Sequence, residues 1–216
     1  MAGHEVNLLA HFPRQEMDIK QERGRTESAK KIACKFDKNY FDGDSDCGYG
    51  GFFYNPNRWP ETIREFQKHY GLTKEHSVLD IGCAKGFLLH DMAKLIPGIM
   101  VKGVDVSQYA ISHAIEDMRP HCFVASASQL PLADNSFDLI ISIAVLTNLD
   151  LKSLQCAIHE IERVKRTHSF IAIDVFNKEA QPLTAKTIMN ANEWRHFFYE
   201  TGYTGDYTFL SQNLAW

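Results

Sequence analysis

Residues 78 to 89, Val78-Leu79-Asp80-Ile81-Gly82-Cys83-Ala84-Lys85-Gly86-Phe87-Leu88-Leu89, set an apolar run, two glycines and a second apolar run in immediate succession. The pattern reads as a buried strand, a tight turn and the opening of a helix. A second strand, Met100-Val101-Lys102-Gly103-Val104-Asp105, ends on an acid 25 residues after Asp80. Strand, glycine turn, helix and acid-tipped strand make half of a nucleotide-binding βαβ unit. The turn needs glycine because a side chain there would keep a ligand from the backbone amides. The acid at the second strand tip suits a ribose, whose two hydroxyls both donate to one carboxylate.

The glycine spacing narrows the ligand. A dinucleotide site uses G-x-G-x-x-G, with the central glycine admitting a pyrophosphate. Here Ala84 stands at the central position and no third glycine follows. Gly82-x-x-x-Gly86 resembles motif I of the class I S-adenosylmethionine-dependent methyltransferases, acid-x-G-x-x-x-G. Gly103-Val104-Asp105-Val106-Ser107 resembles motif II. The stretch from Ser126 to Asp138, with Leu130-Pro131 and Asp134-Asn135-Ser136-Phe137-Asp138, resembles the family's DAxxLPFxDNSFD signature. Leu139 to Leu149 resembles its fourth strand and the loop that closes over the cofactor. The resemblance covers residues 76 to 175 and departs at three places. Ser126 replaces an acid that faces the adenine amino group, Thr147-Asn148 replaces a His-His pair, and Lys165-Arg166-Thr167-His168 replaces a Lys-Pro-Gly-Gly turn.

The resemblance implies a Rossmann-like α/β fold. Its seven-stranded sheet would be mostly parallel with an antiparallel last strand, have helices on both faces, and carry an N-terminal helical cap. It implies S-adenosylmethionine as cofactor and S-adenosylhomocysteine as product. Asp80, Gly82, Cys83, Ala84 and Gly86 would meet the cofactor's amino-acid end, and Asp105 and Val106 its ribose. Ala127, Ser128 and Gln129 would line the adenine edge, while Ile143 and Ala144 would offer backbone groups to the methionine part. Two alternatives stand beside this reading: an NAD-dependent oxidoreductase sharing the βαβ half, and a non-catalytic module that binds S-adenosylmethionine.

A chain of 216 residues fits one α/β unit with a decorated terminus. The formal net charge of −4 argues against a nucleic-acid partner, which calls for a basic face. No run of apolar residues is long enough to span a membrane. The N-terminus shows no basic-then-apolar leader, Val6 to Phe12 being short and polar. Five cysteines without C-x-x-C spacing read as reduced thiols of a cytoplasmic protein. The ten histidines are scattered, so no metal site is expected.

The pattern divides the chain into a cap or lid, residues 1–70, and a cofactor-binding part, residues 71–216, as one globular unit. Strands are expected near 77–82, 100–105, 122–125, 137–143 and 169–175. Helices are expected near 60–69, 86–95, 108–118, 151–165 and 193–200, with a surface helix from Glu16 to Lys35 whose inward contacts include Ile19, Ala29, Ile32 and Ala33. Tyr203 to Leu210 reads as a tight hairpin or bent strand. Between residues 40 and 59, glycines and Asn55-Pro56 forbid regular structure while the aromatics seek burial. A long structureless loop of this kind is commonly functional. It also resembles a segment, YFDG…GYGG…Y…RW, of bacterial methyltransferases that are uncharacterised or tied to polysaccharides.

The acceptor implied is a small molecule, an oxygen or nitrogen on a sugar or similar polar metabolite. Candidates for contact with it are Tyr49, Tyr54 and Arg58, the last able to hold a phosphate or carboxylate through two parallel hydrogen bonds. Tyr49, Asn148 and Asp174 are candidate catalytic residues, and Asp150 shares the strand-end position where open α/β sheets bind ligands.

Overall fold

In a computed structural model describing residues 3–12, 26–176 and 182–211, the apolar runs become the centre of a parallel sheet. In chain order the elements are β1 (His4–Glu5), α1 (Glu27–Ala33), α2 (Lys38–Asp42), α3 (Pro60–Tyr70), β2 (Ser77–Ile81), α4 (Phe87–Leu95), β3 (Met100–Asp105) and α5 (Gln108–Ser112). They continue with β4 (Cys122–Val124), β5 (Phe137–Ile143), α6 (Leu151–Val164), β6 (Lys165–Val175), α7 (Ala191–Glu200) and β7 (Asp206–Ser211). The strand order is β1-β7-β6-β5-β2-β3-β4, with every pair parallel. The chain moves outward from β2 through β3 to β4, then returns to start β5 on the other side of β2. That reversal opens a crevice at the carboxyl ends of β2 and β5, where such sheets bind ligands.

Every residue of β2 is buried, as a strand covered on both faces requires. Alternation along the strands sorts two cores. One face carries Val78, Leu139, Ile141, Phe170 and Ala172 and packs on Ile63 and Phe66 of α3 and Leu88, Leu89 and Met92 of α4. The opposite face carries Leu79, Ile81, Ile140, Ile171 and Ile173 and packs on α6 and α7 through Leu154, Ile158, Ile161, Trp194 and Phe198. Local signals set the helix ends. Pro60 opens α3, and Gly71, at φ +64°, closes it in the left-handed conformation. The Asp150 carboxylate caps α6, and Asn190 with Glu193 forms a capping box on α7. No helix of the described residues is long and apolar enough to cross a membrane.

Four expectations are corrected. The last strand is parallel, not antiparallel: residues 206–211 form one strand, and α7 between β6 and β7 makes their connection a crossover rather than a hairpin. Lys165 to His168 already belong to β6, held there by pairing with β5 and by Arg166 bonding to Asp138 and the Asn135 carbonyl. The helix expected over 108–118 stops at Ser112, and the residues before β4 form a 3-10 turn containing Pro120. At the N-terminus the helix spans Glu27–Ala33, capped by Thr26, with Ala29 and Ala33 buried. The part of the expected helix from Glu16 to residue 25, with Ile19, lies outside the described residues.

Phe66 is fully buried, its ring 5.1 Å from that of Phe170, so it joins α3 to the centre of the sheet. Phe66→Ala is expected to lower unfolding free energy by about 3–5 kcal/mol, read from urea denaturation midpoints.

Candidate active site

The turn after β2 is built around two backbone constraints. The Gly82 and Cys83 N–H groups both donate to the Val104 carbonyl, at 2.7 and 3.0 Å, which bends the chain over the end of β3. Gly82 sits at φ +82°, and a Cβ there would come within 2.1 Å of Val145 Cγ2. Gly86, at φ +77°, begins α4 against Met118. Ala84 takes the left-handed conformation as well, at φ +49°, although it carries a side chain. Its N–H donates to Asp105 Oδ2 at 2.9 Å, while Asp105 Oδ1 accepts from the Ser107 N–H at 2.8 Å. Gly103, one strand back, leaves space for the turn: a Cβ there would lie 2.6 Å from Cys83 Sγ.

The Asp105 carboxylate thus accepts backbone bonds from Ala84, Ser107 and Val106, and with two lone pairs on each oxygen it keeps capacity for a ligand. Burial pushes its pKa up against those backbone bonds. Asp80 is buried beneath it. Burial first, then the charge of Asp105, raise the Asp80 carboxyl to about 8, so it carries a proton at neutral pH. Beside Asp105, Val106 is 60% exposed, an apolar surface open to a ligand. These features fit a nucleoside bearing free ribose hydroxyls.

The other expected cofactor positions lie in the segment that follows β4 and around the end of β5. Ser126 closes its own turn, its hydroxyl bonding to the Ser128 hydroxyl at 2.8 Å and accepting from the Ser128 N–H at 3.2 Å, with Gln129 bridging back to it. Ala127 is buried at the centre of that turn. Ile143 ends β5, and Ala144 follows at φ +57°. The Ala144 N–H is occupied, donating to the Ala172 carbonyl at 2.9 Å. Asn148 lies in a 3-10 turn, half-buried. Asp150 is committed to capping α6. The Thr147 carbonyl accepts from the Lys186 and Thr187 N–H groups, tying the loop after β5 to the loop before α7.

The aromatic segment folds onto the turn. Lys85, buried between the two glycines, donates to both oxygens of Asp42, at 2.8 and 2.7 Å, and to the Phe52 carbonyl at 3.0 Å. Asp42 also accepts from the Tyr109 hydroxyl and the Phe52 N–H. Burial alone would raise the Asp42 carboxyl, but bonds from Lys85, Tyr109 and Phe52 outweigh it and hold the group at about 2. The Tyr40 ring stands edge-on to that of Tyr49, with centroids 5.1 Å apart, and Thr184 lies beside its hydroxyl. The Tyr49 phenol lies within electrostatic reach of Arg58, Asp174 and Asp105, while the residue as a whole is 47% exposed. Burial also lifts Asp174 to about 6. Tyr54 turns elsewhere, donating to Asp91 on α4 and standing edge-on to His90. A cavity of about 440 Å³, lined by Lys30, Cys34, Leu183, Thr184 and Lys186, adjoins this cluster through Thr184.

So Asp80, Asp105, the glycine turn, Ile143, Tyr49, Arg58 and Asp174 converge, whereas Tyr54 does not. Tyr40, Asp42, Lys85 and Tyr109 were missed. The trace of the clamp in the sequence was a lysine between two motif glycines and an acid in Tyr40-Phe41-Asp42-Gly43. Nothing periodic links them across 43 positions.

Residues 72–209 match the model of a methyltransferase domain family, and the chain belongs to that family. It is 27% identical over 161 residues to an uncharacterised protein of Haemophilus influenzae, covering 66% of this chain and 64% of that one. An uncharacterised methyltransferase of Schizosaccharomyces pombe is 29% identical over 140 residues, covering 59% of this chain and 48% of that one. The chain thus spans between about half and two thirds of the length of these curated relatives. In fold it is similar to an S-adenosylmethionine-dependent methyltransferase of Aquifex aeolicus, with a TM-score of 0.51 at 21% identity over 65% of this chain and 78% of that one.

The Asp42–Lys85 pair carries a pH dependence. The Asp42 carboxyl ionises more readily folded, at about 2, than unfolded, so its stabilisation is full above the unfolded value of about 3.9 and fades as pH falls from about 4 to about 2. Asp42→Asn is expected to lessen the fall of the urea midpoint across that window, leaving the part carried by Asp138, Asp150 and Glu160, whose carboxyls are also held low. Lys85→Met, which leaves the carboxylate without its cation, is expected to cost about 3 kcal/mol at pH 7.

Proposed function

We propose that this protein transfers a methyl group from S-adenosylmethionine to an oxygen or nitrogen of a small polar acceptor such as a sugar. The observation carrying this reading is the Asp105 carboxylate at the tip of β3, oriented by Ala84 and Ser107 and open enough to accept two ribose hydroxyls. S-adenosylmethionine supplies an electrophilic methyl on a sulfonium that leaves readily. In this reading the turn of Gly82, Cys83, Ala84 and Gly86 receives the amino-acid end, above a protonated Asp80. Asp105 and Val106 hold the ribose, and Ala127, Ser128 and Gln129 edge the adenine. Ile143 and Ala144 face the methionine part. Residues 1–70 act as the cap and residues 71–216 as the cofactor-binding part.

Methyl transfer from a sulfonium needs the nucleophile, carbon and sulfur in line, so much of the chain's contribution is positioning and exclusion of water. The Tyr40–Tyr49 pair supplies an aromatic roof. A hydroxyl or ammonium acceptor must also lose a proton. Asp174, raised to about 6, is ionised at neutral pH yet more basic than a free carboxylate, and so suits the role of base better than Tyr49, whose phenol stays protonated. Asn148, in the 3-10 turn after β5, is a second candidate to orient the acceptor. Five free thiols, at 34, 47, 83, 122 and 156, favour a reducing, cytoplasmic setting.

Two results test the roles. Asp105→Ala is expected to weaken S-adenosylhomocysteine binding by about 2–4 kcal/mol and, because the carboxylate also anchors Ala84 and Ser107, to lower the melting temperature as well. An unchanged dissociation constant would mean that the ribose is held elsewhere. The wild-type kcat is expected to rise with pH through about 6 as Asp174 loses its proton. Asp174→Asn is expected to abolish that limb and to lower kcat about 10²-fold or more with KM little changed. A limb that persists in the variant would remove Asp174 from the chemistry.

A further inference from the structure

Arg58 is delivered by a closed turn. The Asn57 N–H donates to Asn55 Oδ1 at 3.0 Å and the Arg58 N–H to the Asn55 carbonyl at 3.1 Å, immediately before Trp59 and Pro60 begin α3. The guanidinium carbon lies 4.9 Å from the centroid of the Phe12 ring and 5.6 Å from that of Trp59. Stacking on aromatic faces engages the plane of the guanidinium and leaves its in-plane N–H donors free. Arg64, Arg163, Arg166 and Arg195 each pair with a carboxylate. Arg58 has none within ion-pair distance among the described residues, and its Nε is buried without a hydrogen-bond partner. A buried unpaired donor on a cation is costly to keep unless something from outside meets it.

The position of that cation points to the something. Phe12, Trp59, Ile143 and Leu210 pack against one apolar cluster on the sheet face covered by α3. Leu210 is paired in register with Asp174, and Asp174 continues the alternation of Phe170 and Ala172 on that face. Tyr49 lies between, within electrostatic reach of both Arg58 and Asp174. Cation, phenol and carboxyl therefore share the mouth of the crevice above β5 and β6. Building on the methyltransferase reading, we propose that the acceptor is anionic, carrying a carboxylate or phosphate that Arg58 grips through Nε and one terminal nitrogen. The gripped end fixes the molecule so that its hydroxyl or amine points toward Asp174 and the cofactor crevice. Neutral sugars lacking such a group are poor acceptors on this account.

The test uses the full chain saturated with S-adenosylhomocysteine. The Nε–Hε resonance of Arg58 is followed by nitrogen-15 correlation spectroscopy during titration with inorganic phosphate and, separately, with acetate. A saturable shift of Arg58 with one anion, with Arg64 unmoved as the exposed control, supports the proposal and tells phosphate from carboxylate. In the activity arm, a phosphorylated sugar, a sugar acid and the neutral sugar are compared as methyl acceptors. Arg58→Met and Arg58→Lys are expected to raise KM for the anionic acceptor by about tenfold or more while leaving S-adenosylhomocysteine affinity unchanged. No shift at Arg58 with either anion in protein that binds S-adenosylhomocysteine would overturn the anionic acceptor alone. Failure to bind S-adenosylhomocysteine would overturn the methyltransferase reading and this inference with it.

Discussion

The hydrogen bond from the Ala84 N–H to the Asp105 carboxylate is the contact on which the site depends. It holds a residue with a side chain in the left-handed conformation, a cost of about 1–2 kcal/mol. An acceptor that is charged and partly buried offsets that cost. The same bond locks the turn after β2 to the tip of β3, 21 positions later in the chain. The geometry of the crevice is therefore set before any ligand arrives. Gly103 and Gly82 permit it by giving up side chains that would strike Cys83 and Val145.

The turn does a second job through Lys85. By pairing with Asp42 and the Phe52 carbonyl, Lys85 makes the aromatic segment part of the cofactor turn's own structure. Any rearrangement of Gly82 to Gly86 on ligand binding would be felt at Asp42, and through it by the neighbouring Tyr40 and Tyr49 rings. Cap and crevice are coupled by this buried ion pair together with aromatic contacts such as Phe52 on Phe87 and Phe41 on Tyr109.

Much of this architecture was legible in the sequence because burial on both faces leaves an unmistakable apolar run. Leu139-Ile140-Ile141 and Phe170-Ile171-Ala172-Ile173 could be little else than interior parallel strands. Asp80 and Asp105 were legible because an acid ending such a run is exceptional. What escaped was long-range. Two-residue β1 carries no periodicity, and the direction of β7 follows from the crossover through α7, which the reading of Tyr203 to Leu210 as a hairpin or bent antiparallel strand overlooked. Lys165 to His168 looked like a turn because polar side chains hide a strand whose outer positions bond to Asp138 and Asn135. At the site, Ala127 to Gln129 were placed by resemblance, but the Ser126 hydroxyl turned out to be closing its own turn. Pairings such as Lys85 with Asp42 exist only once the cap has folded over the sheet.

The central claim is that this crevice is built for a nucleoside with a free ribose and no pyrophosphate. Isothermal titration of the wild-type chain with S-adenosylmethionine, S-adenosylhomocysteine and NAD tests it most directly. Micromolar binding of the first two, with no heat from NAD, is the predicted result. Tight binding of NAD with none of the sulfonium or its product would contradict the account.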